Sequence, residues 1–265
     1  MQNRSTFCRD GGEWDTKAVL LVGGLGTRLR TLVPSAPKPL APVGDRPFLE
    51  LLVRQLLIQN IRRLIMCTGY LADQVESAFG DGHNLGVAIE YSRESDPLGT
   101  GGAIKLAQSY LRSSSDFLVL NGDSFVEVDL RQLVQFHRTH GGLATMAVLS
   151  AENASRYGTV HVNSGNRVTE FHEKTGNDSP GLINAGVYVF NRELFDHIPD
   201  GKVSLEREVF PRILDRGVYV VEQHGMFIDI GTPADYMQAQ QLFGRLDQAT
   251  PPAHDGIPPG KPENV

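Results

Sequence analysis

Cysteine is nearly absent: two residues in 265, Cys8 and Cys67, are too few for a disulfide-built scaffold. Cys8 sits in a polar N-terminal stretch and Cys67 ends an apolar run, so the two read as unpaired thiols in a reducing compartment. Long apolar runs are missing as well. None approaches the roughly 18–20 residues that span a bilayer, and the first residues lack the apolar core of a secretory signal. Together these absences give the expectation of a cytoplasmic protein with no membrane partner. Positive charge is also scarce. With 25 Lys and Arg against 31 Asp and Glu, the net charge is -6, so no general basic surface is expected and binding of nucleic acid has little electrostatic support. A protein of this charge that handles phosphates must gather its few cations locally, so individual Arg and Lys positions become informative.

What is present is an ordinary globular composition, 40% hydrophobic and 21% charged, in a chain long enough for one large α/β domain or two small ones. Residues 1–16 are polar and read as a flexible arm. Residues 246–265 are rich in proline, lack apolar periodicity and read as a disordered tail. Between them, over residues 17–245, short apolar runs alternate with helical patterns. The sequence predicts strands at 17–22, 63–68, 87–91 and 116–121, and helices at 48–59, 72–79, 101–111 and 130–138. That alternation implies a mainly parallel sheet with helices on both faces. From about residue 141 the pattern changes. Strands at 144–149, 158–162, 167–172 and 183–190 follow one another without a helix, then come a helix at 204–214, strands at 218–222 and 226–230, and a closing helix from Pro233 to Leu242. The first half, about 17–140, reads as a nucleotide-binding unit. The second, about 141–245, reads as strands that extend the same sheet and form a lid at its ligand end. No repeat of fixed period is visible.

The first predicted strand runs into Gly23-Gly24-Leu25-Gly26-Thr27-Arg28-Leu29-Arg30. Glycines let backbone N–H groups wrap phosphate oxygens, and Arg28 can fork onto them; a glycine turn alone also suits plain structure. Two rival phosphate loops fail on inspection. The dinucleotide fingerprint needs a third glycine where Leu29 stands, and no string matches the P-loop. Ten residues after Arg28 comes Pro37-Lys38-Pro39-Leu40, in which two prolines hold Lys38 extended. Taken singly, Lys38 reads equally as a solvated loop lysine.

Gly23–Leu29, then Pro37–Leu40, then Pro47-Phe48-Leu49-Glu50 resemble the signature of the sugar-1-phosphate nucleotidylyltransferases, and further motifs extend the resemblance over the whole 17–245 region. It implies a Rossmann-like nucleotidyltransferase fold: a mixed, mainly parallel α/β sheet plus a small sugar-binding lid. It also implies the chemistry, transfer of a nucleotidyl group from a nucleoside triphosphate to a sugar 1-phosphate with release of pyrophosphate. By resemblance, Val22, Gly23, Gly24, Gly26 and Thr27 hold the triphosphate, Arg28 neutralises the departing pyrophosphate, and Lys38 contacts the reacting phosphates. Gly99, Thr100 and Gly101, in the run from Pro97 to Ala103, line the nucleoside pocket, which Thr68 and Gly69 complete.

Asp123, in Asn121-Gly122-Asp123, ends a predicted strand beside glycine, which suits a hard cation as well as an ordinary turn. Asp229 lies between two isoleucines, where burial is unfavourable unless something pairs it. The resemblance implies that Asp123 and Asp229 together hold Mg²⁺. It further implies that Lys174, in Phe171-His172-Glu173-Lys174, binds the phosphate of the sugar 1-phosphate while Glu173 bonds sugar hydroxyls. Gly158, Asn184, Ala185 and Gly186 approach the sugar on the same basis. His172 is left as a strand residue.

Within the family, Gly181–Tyr188, the glycine loop and Ser204-Leu205-Glu206 resemble the D-glycero-D-manno-heptose 1-phosphate guanylyltransferase branch, so GTP and that heptose phosphate are the expected substrates, with mannose 1-phosphate the alternative. GDP-heptose of this kind feeds bacterial surface polysaccharide. Glu206 has two readings, a solvated helix residue and a contact to the extra heptose hydroxyl. A catalytically inactive, nucleotide-sugar-binding homologue is the non-enzyme alternative; the retention of Arg28, Lys38, Asp123, Lys174 and Asp229 argues against it. The apolar helices fit packing within one chain or across a homo-oligomer.

Overall fold

The computed structural model describes residues 16–24, 26–29, 32–34, 36–172 and 179–249, with side chains through Phe243. Cys8, Glu173 and Lys174 therefore lie outside the described residues, as do the arm to residue 15 and the chain from residue 250. In chain order the elements are β1 (Ala18–Leu21), the two-residue strands β2 (Pro42–Val43) and β3 (Arg46–Pro47), α1 (Phe48–Ile58), β4 (Arg63–Thr68), α2 (Ala72–Phe79), β5 (Ala88–Arg93), α3 (Gly99–Leu106), β6 (Asp116–Asn121) and β7 (Ser124–Val126). There follow α4 (Leu130–His140), β8 (Ala144–Ala151), β9 (Thr159–Val162), β10 (Val168–His172), β11 (Gly181–Asn191), α5 (Phe210–Ile213), β12 (Val218–Glu222), β13 (Phe227–Asp229) and α6 (Pro233–Ala249).

One nine-stranded sheet organises the chain, with the path β10-β9-β11-β6-β1-β4-β5; β8 pairs with β11 and carries β12. In the first half β1, β4, β5 and β6 are all parallel, as the strand–helix alternation requires. In the second half β11 runs antiparallel to β6, β8 and β9. Successive residues of the central strands face opposite sides, so two cores form. Leu20, Met66 and Leu120 pack beneath Phe48, Leu52 and Leu56 of α1, with α2, α4 and α6 on the same side. Val19, Ile65, Phe117 and Val119 face Ile104 of α3, Phe195, and Phe210 and Ile213 of α5. Burial of one Leu or Phe is worth about 1.5–3 kcal/mol, so the sheet is fixed from both faces.

Several elements differ from expectation. The helix expected at 204–214 is a π-helical turn, Leu205–Val209, leading into the short α5. The helix expected at 101–111 begins two residues earlier, at Gly99, and gives way to a 3-10 turn at Ala107. The last helix continues through Ala249, so residues 246–249, expected in the tail, are helical. Most consequential, the strand expected at 226–230 does not join the main sheet. It forms a separate two-stranded sheet with β7, an element the sequence reading did not anticipate, and the register sets Asp229 opposite Ser124.

The long strand β11 changes neighbour along one edge. Leu182 and Ile183 pair with β9, whereas Val187 to Asn191 pair with β6. A register shift between Asn184 and Tyr188 marks the change. The sheet is therefore split at residues 184–186, at the carboxyl end of β6. No described helix is long and apolar enough to cross a membrane.

Candidate active site

The carboxyl ends of β1, β4 and β6 open onto a cavity of 260 Å³ walled by Val22, Gly23, Gly24, Lys38, Glu94, Gly99, Thr100, Asn121 and Asp123 among others. A second cavity, of 220 Å³, opens at the split in the sheet and is bordered by Arg28, Tyr157, Gly158, Phe171, Asn184, Ala185, Gly186, Glu206 and Asp229 among others. Lys38, Asn121 and Asp123 border both, so the cavities share one wall.

That wall is built by close approach. Gly26 has φ +58, and a Cβ there would stand 2.8 Å from Lys38 Cβ, so the glycine loop packs directly on the Pro37–Leu40 segment. Lys38 is not a solvated lysine: its side chain is 11% exposed, and its Nζ lies 2.6 Å from Asp123 Oδ2 and 3.7 Å from Asp229 Oδ1. Asp229 is aimed by the backbone, since the Gly231 N–H donates to Oδ1 at 2.7 Å, and by β13, whose next residue bonds Asp123 O through the Ile230 N–H at 3.0 Å. Two acidic residues far apart in sequence thus share one cation. With a single lysine between two carboxylates the trio keeps a net negative charge, and hard oxygen donors of this kind fit a divalent ion such as Mg²⁺ that also takes phosphate oxygens.

Asn121 closes the wall from β6. Gly186, at φ +75, leaves room for it: a Cβ there would stand 2.6 Å from Asn121 Nδ2. Among the described residues, the buried Asn121 Oδ1 has no hydrogen-bond partner. Asn184 holds the split open, donating from Nδ2 to the Tyr188 hydroxyl at 2.7 Å and accepting from the Gly186 N–H at 3.0 Å.

The expected nucleotide residues divide. Val22, Gly23, Gly24, Lys38, Gly99, Thr100 and Asp123 are brought together on the lining of the first cavity. Arg28 instead borders the second cavity, and Thr27 is exposed and borders neither. Thr68, Gly69 and Gly101 stand behind the wall rather than on it. Thr68 is buried and donates to Glu76 Oε1 at 3.4 Å. Gly101 is buried, and its N–H bonds Val203 O at 2.9 Å. Gly69 makes room for Glu94, whose Oε1 would meet any Cβ placed there, as it would a Cβ on Gly23 at 2.9 Å. Among the expected sugar residues, Gly158, Asn184, Ala185 and Gly186 all border the second cavity.

Two functional positions were missed or left open by the sequence. Glu94 projects into the nucleotide cavity, with Oε2 accepting the Leu98 N–H at 3.0 Å. Burial raises its carboxyl above the ordinary value, and the Leu98 bond pulls the other way. Its signal was an acidic residue just after a strand end, three residues before the Pro97–Ala103 run. Glu206 is part-buried rather than a free surface residue. It accepts from Thr100 Oγ1 at 2.9 Å and Ser204 Oγ at 3.2 Å while bordering the sugar-side cavity, which links the two halves of the site. Cys67 borders the nucleotide cavity, but burial pushes its thiol up to about 12, so it is protonated and not a nucleophile.

A glycine loop at the carboxyl end of β1, with Asp123 just beyond the parallel β6 and Asp229 brought beside it by the antiparallel β13, is the site of an α/β protein built to meet phosphates. The chain belongs to the nucleotidyl transferase family, whose sequence model matches residues 17–244. It is 42% identical over 225 residues to a mannose-1-phosphate guanylyltransferase of Mycobacterium tuberculosis, a match covering 83% of this chain but only 62% of that protein. It is 39% identical over 227 residues to the D-glycero-alpha-D-manno-heptose 1-phosphate guanylyltransferase of Aneurinibacillus thermoaerophilus, covering 85% of this chain and 97% of that one. Among solved structures, HddC from Yersinia pseudotuberculosis complexed with GMP-PN superposes with a TM-score of 0.77 at 31% identity, over 86% of this chain and 99% of that chain.

Proposed function

We propose that the protein transfers a guanylyl group from GTP to a sugar 1-phosphate of manno configuration, D-glycero-D-manno-heptose 1-phosphate first, giving a GDP-sugar and pyrophosphate. The observation that carries this reading is the shared wall: a cavity at the glycine loop and a cavity at the split in the sheet meet at Lys38, Asn121 and Asp123. A phosphate oxygen of the sugar 1-phosphate attacks the α-phosphorus, the bond from that phosphorus to the bridging oxygen breaks, and pyrophosphate carries away the electron pair. Both reactants are polyanions, and two like unit charges about 4 Å apart repel by roughly 4 kcal/mol at an effective dielectric of 20. Lys38 stands where the two meet and offsets that repulsion, with Arg28 beside the sugar-side cavity and Lys174 assigned to the sugar phosphate by family resemblance. Mg²⁺ held by Asp123 and Asp229 supplies charge neutralisation of the triphosphate when bound. The residues themselves align the reactants, and no protein nucleophile is needed.

The base preference rests on Glu94. Guanine presents adjacent N1–H and N2–H donors on one edge, a pattern that a carboxylate accepts with both oxygens or with one oxygen bifurcated, and that adenine and the pyrimidines lack. For the sugar, Glu206 is the hydroxyl partner on the cavity wall, and Glu173 joins it by family resemblance. The heptose reading draws support from a heptose 1-phosphate guanylyltransferase matched over nearly its full length. The higher identity to a mannose-1-phosphate enzyme keeps mannose 1-phosphate as the second reading.

The experiment is pyrophosphate release measured across a matrix of nucleoside triphosphates and sugar 1-phosphates with Mg²⁺. GTP with heptose 1-phosphate is expected to give the highest kcat/KM and GTP with mannose 1-phosphate the next. Release favouring a pyrimidine triphosphate would remove the Glu94 argument, and no release with any pair would leave a binding protein.

A further inference from the structure

We propose that His161, Glu170 and His172 form a binding site for a borderline divalent transition-metal ion, zinc in the first instance, on the sheet edge away from the sugar-side cavity. The trio follows from strand register. His161 on β9 is the cross-strand partner of Glu170 on β10, and His172 lies two residues further along the same strand, so all three share one face. Their ligand atoms lie within 4.8 Å of one another, and among the described residues no other group of three does so. His172 Nε2 is already 2.9 Å from Glu170 Oε2, and the His161 and His172 rings meet edge to face with centroids 5.1 Å apart.

The chemistry selects the ion. Two neutral imidazoles and one carboxylate are ligands for zinc and its neighbours, not for Mg²⁺, which prefers oxygen throughout. Around a tetrahedral zinc with bonds near 2.0–2.1 Å the donor atoms sit about 3.3 Å apart. All three side chains are exposed, so small rotamer changes close the remaining gap, and solvent fills the fourth position. Placement also separates this site from the carboxylate pair. Phe171, between Glu170 and His172, points the opposite way, borders the sugar-side cavity and stacks on Phe210 with centroids 5.4 Å apart. A bound ion would tie β10, the last strand of the sheet path, to β9 across their ladder, and would stiffen the strand that presents Phe171.

The test is isothermal titration of the full chain, free of any purification tag, with zinc chloride at neutral pH. The wild type is expected to bind one equivalent. His161→Ala and His172→Ala should each weaken that step by at least about 10-fold, and the double variant should abolish it. Glu170→Gln, which keeps size and shape, should weaken it less. Asp123→Asn should leave the step intact, which separates it from any zinc taken up at the carboxylate pair. Circular dichroism on each variant checks the fold. An unchanged isotherm in the His161→Ala/His172→Ala protein, or a wild type that takes up no zinc, would overturn the proposal.

Discussion

The nucleotide half and the sugar half share one sheet, yet they place their site residues by different physics. In the nucleotide half, β1, β4 and β6 are parallel and central, so loops at their carboxyl ends converge by construction, and a short local run brings Gly23 and Gly24 to the first cavity. In the sugar half no such rule applies. The cavity exists because β11 leaves β9 and joins β6 at Gly186, and because β13 departs from the main sheet to pair with β7. The first half is a scaffold that needs only local sequence; the second depends on pairings between distant strands.

The sharpest way to break that contrast is at the joint. Asp123→Ala and Asp229→Ala each remove half of the carboxylate pair, and steady-state turnover with saturating substrates should fall on the order of 10²–10³-fold while the fold survives. Similar rates in a folded Asp229→Ala protein would mean the long-range pairing of β13 is not functional. Next, Gly26→Ala forces a side chain into a left-handed backbone position and against Lys38. The combined strain, of order 1–3 kcal/mol, should lower kcat by about 10-fold or more without a matching rise in KM for the sugar phosphate.

Base selection offers a finer test. Replacing Glu94 with Gln removes a charge-assisted acceptor worth about 1.5–3 kcal/mol, so kcat/KM for GTP should drop roughly 10- to 100-fold. The value for other triphosphates should change little. On the sugar side, Glu206→Gln should raise KM for the sugar 1-phosphate by a factor of about 10 or less, since a neutral hydrogen bond replaces a charged one, and should leave GTP binding measured by calorimetry close to wild type.

The smallest effect concerns stability alone. Burial holds the His137 imidazole down to about 4, against an ordinary 6.5, with Asp116 opposing the shift; its Nδ1 lies 2.9 Å from Thr145 Oγ1. Between those two values the unfolded chain carries the proton and the folded chain does not. Stability should therefore decline as pH falls from about 6.5 towards 4 and level off below, by on the order of 3 kcal/mol in all. Urea unfolding of wild type and His137→Gln at neutral and mildly acidic pH should show the slope in the first and a flatter profile in the second.

How much was legible follows the same division. The strands β1, β4, β5 and β6 and their parallel sense could be read from apolar runs spaced by helical patterns, because the crossovers are local and β1, β4 and β6 are buried on both faces. Lys38 and Asp123 were legible as motif residues. Their contact was not, since nothing in the sequence fixes how a loop at residue 38 meets a strand end at residue 123. The β7–β13 pairing was missed because three-residue strands carry too little periodicity to register, and Asp229 was singled out by its position between two isoleucines together with the family resemblance. Thr68 and Gly101 show the converse. Their motifs drew attention, yet one side chain bonds Glu76 and the other residue packs on Val203. Glu94 escaped notice because a lone acidic residue after a strand reads as surface until Gly23 and Gly69 are seen to make room for it.

The central claim is direct transfer across the wall shared by the two cavities, and the stereochemistry at the reacting phosphorus tests it most directly. With GTP made chiral at the α-phosphorus by sulfur substitution and a sugar 1-phosphate as acceptor, a single in-line displacement should yield product of inverted configuration. Retention, which requires two displacements through a covalent protein intermediate, or the absence of any nucleotide-sugar product, would contradict it.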